Sequence, residues 1–75
     1  MNKPILLDLS HLLCPMPVIK LQNAAKHYPK GTQVQLLCTD PGTHHDIPTW
    51  CRIQKHTVVH IEERDHLISF LIQIN

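Results

Sequence analysis

Cys14-Pro15-Met16-Pro17 is where the sequence concentrates its chemistry. The cysteine stands where a short apolar run, Ile5 to Leu9, gives way to a helical pattern beginning near Val18. At a helix mouth, unpaired backbone N–H groups and the helix dipole favour negative charge, and the thiolate is the reactive form of cysteine. The placement therefore points to a nucleophilic sulfur at Cys14. With Cys14 as N-cap and Pro15 at the first helical position, the sulfur reaches for the N–H of the second or third helical residue. Pro17 holds the third position and has no N–H, which leaves Met16 as the single donor. The expectation is a thiol held modestly below the free pKa of ~8.5 and still nucleophilic. Two prolines stiffen the first turn and hold that sulfur outward.

The other two cysteines read differently. Cys38 falls on the inward side of an alternating run and Cys51 on the inner face of a helix, so both are expected to be small buried hydrophobes. The three cysteines are spaced 24 and 13 residues apart with no Cys-x-x-Cys pair, which excludes a disulfide framework and a dithiol redox motif. His44 and His45 together with Cys14 suggest a soft metal site, but no regular ligand spacing supports it, so neither metal nor cofactor is expected. His11 either tunes the thiol or is a plain loop histidine. Leu12, Leu13, Met16 and Ile19 surround Cys14 as a candidate docking rim for a protein partner, the alternative being that one or two tuck against the second helix.

The elements that position these residues follow from periodicity. Ile5 to Leu9 reads as a strand, and Val18, Leu21, Ala24, Ala25 and Tyr28 form one helical stripe ending before Pro29. Thr32 to Thr39 alternates with Val34, Leu36 and Cys38 inward. After the turn Asp40-Pro41-Gly42, the second helix starts either at a Thr43…Asp46 capping box or with Asp46 as N-cap and Pro48 in the first turn. Ile47, Trp50, Cys51 and Ile53 make its inner face; Thr49, Arg52, Lys55 and His56 face water. Thr57 to Glu62 is a strand with Thr57, Val59 and Ile61 inward and Val58 outward. A polar turn at Glu63-Arg64-Asp65 leads to a last strand, His66 to Ile74, with Ile68, Phe70, Ile72 and Ile74 inward. The order is β-α-β-α-β-β: two crossovers give parallel strands with both helices on one face, and the last strand is antiparallel. The class is an α/β two-layer sandwich with a mixed four-stranded sheet. Its outer face carries Gln33, Gln35, His60, Glu62, Ser69 and Gln73, with Leu6, Leu37 and Leu71 among them.

Binding sites in open α/β sheets gather beyond the carboxyl ends of the parallel strands. Cys14 follows the first strand, and Asp40 follows the second. The start of the second helix lies at the same edge. Two segments far apart in sequence are thus expected to meet in space, with Asp40, Pro41, Asp46 and Pro48 supporting the Cys14 motif as caps and loop anchors.

Composition sets the bounds. A chain of 75 residues makes one domain, 1–75, near the lower size limit for an independent core. An apolar fraction of 43% with 17% charged residues argues for a globular chain, and with three aromatic residues the core must be aliphatic. A net charge of +1 without basic runs excludes strong direct nucleic-acid binding as the main business. After Met1-Asn2-Lys3-Pro4 the apolar stretch is too short for a signal-peptide core or a membrane span, so a cytoplasmic location is expected.

Taken together, Cys14-Pro15-x-Pro17 and Asp40-Pro41…Asp46-Ile47-Pro48…Cys51 resemble the TusA/SirA family of small sulfur-carrier proteins, along nearly the whole chain. The resemblance implies a strand order of 1-2-4-3 and a sulfurtransferase without a cofactor. It implies that Cys14 accepts sulfane sulfur as a persulfide, typically from a cysteine desulfurase, and relays it to an acceptor protein. In such proteins the route leads to 2-thiouridine in tRNA or to other sulfur-trafficking pathways. Two positions depart from the family pattern: His11 stands where glycine is usual, and Met16 where the tRNA-thiolation carriers often have Glu. The competing reading is a non-catalytic regulatory or redox-sensing module that docks through the same edge.

Overall fold

A computed structural model describes residues 3–75, so the leading Met1-Asn2 of the leader reading lies outside the described residues. Six elements follow in order: β1 (Ile5–Leu9), α1 (Met16–Ala25), β2 (Gln33–Cys38), α2 (Thr43–Gln54), β3 (Thr57–Arg64) and β4 (Leu67–Gln73). The sheet order is β1-β2-β4-β3. β1 and β2 run parallel, Ile5 beside Val34 and Leu9 beside Cys38, because α1 carries the chain back between them. β4 is antiparallel to both neighbours, which makes the sheet mixed. The two-layer α/β sandwich and its strand order are as the pattern and the resemblance imply.

Val34, Leu36 and Cys38 of β2 and Ile68, Phe70 and Ile72 of β4 form the buried floor, met by Leu21 of α1 and by Ile47, Trp50 and Cys51 of α2. Each such large side chain contributes roughly 1.5–3 kcal/mol relative to exposure, which makes this floor the main cohesive force. On the outer face Leu6 is exposed and Leu37 and Leu71 half-buried, with Gln35 donating to Ser69 Oγ at 3.1 Å.

Several boundaries differ from the periodicity. α1 ends at Ala25 rather than Tyr28; Tyr28 still packs on the core from the following turn, its N–H bonding to the Ala25 carbonyl at 3.1 Å. Pro17, not counted in the stripe, is buried beside Leu21. In β3 a bulge between Val58 and His60 resets the alternation. Val58, opposite Ile72, packs on the core, and Ile61 faces the helix side opposite Phe70, while Thr57 and Val59 are exposed. The inward assignment of Thr57 and Val59 and the outward one of Val58 are therefore corrected. The hairpin turns at Asp65-His66, one residue later than the polar run suggests, with positive φ at both (52° and 67°), the conformation of a two-residue type I′ turn. Ile53 is 70% exposed rather than inner, on the side of α2 that lines a cleft toward α1. Lys55 then ends α2 in the left-handed region, with its N–H on the Arg52 carbonyl and that of His56 on the Cys51 carbonyl.

Candidate functional site

The β1–α1 loop is tethered at both ends, which is what presents Cys14. Leu12 donates its N–H to the Leu9 carbonyl at 3.2 Å, and Thr39 donates its hydroxyl to the Ser10 carbonyl. The Ser10 side chain, and then the Ser10 N–H that bonds to Asp8 Oδ1 at 3.0 Å, hold the Asp8 carboxyl below its usual range. Leu12 tucks onto the core, whereas Leu13 (74%), Met16 and Ile19 stay exposed around the cysteine. Three of the four rim candidates thus present apolar surface, and Leu12 does not.

The helix begins one residue later than the motif suggests. Pro15, with φ −96° and ψ 10°, is the N-cap, Pro17 is the second helical residue, and Cys14 lies outside the helix. The Cys14–Pro15 peptide is cis. Met16 N–H is taken by the Leu13 carbonyl at 2.8 Å, so it does not reach the sulfur. Both corrections remove the backbone donors from which a lowered thiol pKa was expected.

Carboxylates take their place. Asp40, following β2, accepts the Cys14 backbone N–H on Oδ2 at 2.6 Å and the Gly42 N–H on Oδ1 at 3.1 Å, bridging two loops with its two oxygens. These donors, Cys14 first, hold the Asp40 carboxyl below its ordinary value. Asp40 thus ties the two loops together. Its own carbonyl receives the Thr43 hydroxyl at 2.7 Å and the Thr43 N–H at 3.0 Å.

Asp46 has a different job. The Cys14 thiol donates to Asp46 Oδ2 at 2.9 Å. That hydrogen bond, followed by partial burial and then the charges of Asp46 and Asp40, pushes the Cys14 thiol above its ordinary value. The expected drop is reversed because the hydrogen bond to Asp46 favours the protonated thiol, with desolvation and the two negative charges adding to it, while the N–H groups of the helix terminus are already used. Nor is Asp46 a cap: α2 starts after Gly42, without a side-chain cap, and the capping box does not form. Pro48 sits inside the helix, where it cannot give the His44 carbonyl the N–H that the fourth residue on would normally donate.

A cleft of about 310 Å³ opens beside the sulfur between α1 and α2, walled by Val18, Thr49, Trp50 and Ile53 with His45 and Asp46 at the rim. Thr49 Oγ1 and Trp50 Nε1 are buried without a hydrogen-bond partner among the described residues. The sequence reading missed these wall residues, yet Asp46, Thr49/Trp50 and Ile53 recur at the three-to-four-residue spacing of one helix face. A larger hollow, about 450 Å³, lies at the opposite end of the parallel strands beside Lys3, Ile5 and Gln33, and has no cysteine on its walls.

The remaining candidates sort by burial and pairing. Cys38 and Cys51 are buried, and burial pushes each thiol to about 11; for Cys38 the Thr43 hydroxyl pulls the other way. Cys14 is the exposed thiol. His44 turns away from it, its Nε2 lying 2.6 Å from Glu63 Oε1 on β3 and its ring edge-on to Phe70. Among the described residues, no three His, Cys, Asp or Glu side chains converge as metal ligands, and no helix is long and apolar enough to cross a membrane.

Comparison with known proteins matches this arrangement to one family. The family model described as Sulfurtransferase TusA covers residues 5–74. A sulfur carrier protein TusA of Buchnera aphidicola subsp. Baizongia pistaciae is 34% identical over 67 residues, 89% of this chain and 85% of the relative. Its namesake from Pseudomonas fluorescens is 33% identical over 69 residues, 92% and 83% of the two chains. That of Pseudomonas paraeruginosa is 35% identical over 65 residues, 84% and 82%.

Proposed function

The chain belongs to the TusA sulfurtransferase family, and from that premise we propose that it is a sulfur carrier whose Cys14 holds sulfane sulfur as a persulfide. One observation carries the assignment to Cys14: of the three thiols, it alone is exposed, on a loop tethered at both ends at the carboxyl edge of the parallel strands. Cys38 and Cys51 are closed off by the core.

Loading is an exchange between thiols. A donor protein's cysteine persulfide, supplied by a cysteine desulfurase, approaches the Leu13–Met16–Ile19 rim; Cys14 Sγ attacks the outer sulfur, and the donor's sulfur leaves. The reverse step hands the sulfur to an acceptor protein that feeds a cytoplasmic sulfur-trafficking pathway such as 2-thiouridine formation in tRNA. The apolar rim suits partners that bury aliphatic surface around their own cysteine. Pro15 and Pro17 serve as the scaffold of the helix start, and Asp40, Pro41, Asp46 and Pro48 shape the opposing segment. No cofactor enters the proposal.

The test is transfer of label. Incubation with a cysteine desulfurase and cysteine radiolabelled at sulfur should yield labelled protein that a reducing agent strips. Equal labelling of Cys14→Ala would overturn the assignment.

A further inference from the structure

We propose that Asp46 controls the proton of Cys14, holding it on the unloaded thiol and losing that contact once sulfur is loaded, and so makes the empty and the loaded sulfur chemically distinct. The proposal rests on the reading of Cys14 as the sulfur-bearing residue. The geometry separates Asp46 from a purely structural acid. The first N–H groups of α2 are all occupied by carbonyls: Thr43 on Asp40, His44 on Pro41, His45 and Asp46 on Gly42, at 3.0–3.1 Å. Asp46 is therefore not needed to cap them, although an acid in a first turn still favours the helix dipole. Among the described residues, its carboxylate has one hydrogen bond, from the Cys14 thiol at 2.9 Å.

The titratable groups facing the sulfur are Asp46 and His45 from α2 and Asp40 from the β2–α2 loop. The start of α1, Met16-Pro17-Val18, is uncharged, the helix's one charged side chain being Lys20 further along, and His11 acts on Asp8. Asp40 is committed to two backbone N–H groups. The carboxylate in contact with the reacting atom is that of Asp46.

Sulfur loading changes this contact in a defined way. Cys14–SH and a donor Cys–S–SH give Cys14–S–SH and donor Cys–SH. The Cys14 Sγ–S bond forms as the donor's S–S bond breaks, with its electron pair left on the donor sulfur. The Cys14 proton, accepted by Asp46 during the attack, ends on that donor sulfur, and no external oxidant or reductant is required. Once loaded, Sγ has no proton to donate. The outer sulfur stands a further bond of about 2.05 Å away, and as an anion it is repelled by the acid left behind. Asp46 thus keeps the empty carrier a hydrogen-bonded thiol and weakens its hold on the loaded sulfur.

The test uses the full chain and iodoacetamide, with alkylation of Cys14 followed by intact mass across pH. Asp46→Asn should move the midpoint of the rate profile to lower pH and raise the neutral-pH rate about threefold or more, since one pKa unit is tenfold in thiolate. Asp46→Glu should restore most of the original profile. An Asp46→Asn midpoint that is unchanged or higher overturns the proposal. A second measurement needs no acid variant. Blocking wild-type Cys14 as a methyl disulfide should shift the Asp46 carboxyl carbon resonance, and an unmoved resonance counts against the contact. Loading with inorganic polysulfide separates this from the carrier reading. A shifted alkylation profile in a protein that takes up no sulfur defeats the carrier and leaves the Asp46 contact; uptake with an unshifted profile defeats the Asp46 proposal alone.

Discussion

Selective alkylation of the native protein tests the division of labour among the three thiols. Cys38 and Cys51 are buried, with thiols pushed to about 11, so near pH 8 only about one in 10³ of each is thiolate in the folded state. Reagent cannot reach them there, and their reaction requires opening of the core. At about 0.05–0.15 kcal/mol per residue, a domain of this length is stable by about 4–11 kcal/mol, so full opening slows the buried thiols by about 10³ or more relative to free cysteine. Cys14 is slowed by Asp46 but needs no opening. A native time course followed by intact mass should therefore show one complete carbamidomethylation, mapped to the Cys14 peptide, before a second begins. In denaturant all three should react together. A native protein that takes two or three labels in parallel, or takes the first at Cys38 or Cys51, would refute the burial argument.

The same burial makes the fold sensitive to alkali. Folding raises the pKa of Cys38 and Cys51, so the folded state keeps protons that the unfolded chain releases between about pH 9 and 11. Stability should be intact below that window and fall by up to ~1.4 kcal/mol per pH unit per thiol within it, and urea midpoints measured across pH, with Cys51→Ala flattening the slope, check this. The Asp65-His66 turn holds two non-glycine residues at positive φ; His66→Gly should raise the unfolding free energy, measured by urea denaturation, by about 1 kcal/mol, and a loss of stability would argue against a type I′ turn. Trp50, the sole tryptophan, lines the Cys14 cleft, so blocking Cys14 should change its fluorescence while Cys14→Ser treated identically stays constant.

Much of the fold was legible because local rules and packing agree. Ile5–Leu9 is a strand with the limits its alternation gives, and period two selects the three buried residues of β4, Ile68, Phe70 and Ile72, and Ile74 just beyond it. The failures have physical causes. Alternation cannot register a bulge, so everything before His60 in β3 was assigned to the wrong face. Helical spacing cannot tell a stripe facing the sheet from one facing the neighbouring helix, which misplaced Ile53 and hid the cleft wall. At the site, topology brought Cys14 and the Asp40–Asp46 segment to one edge, but local capping rules gave the wrong electrostatics. The Cys14–Asp46 contact spans 32 residues, and only the tertiary arrangement shows that the thiol meets a carboxylate where the sequence suggested N–H groups.

The most direct measurement locates the sulfur. After incubation with a cysteine desulfurase and cysteine, and without reductant, intact mass should show one added sulfur atom per chain. Peptide mapping should place it on the Cys14 peptide, with Cys14→Ala gaining none and a Cys38→Ala/Cys51→Ala double variant gaining the same single atom. Sulfur found on Cys38 or Cys51, or a Cys14→Ala variant that loads as the wild type does, would contradict the account.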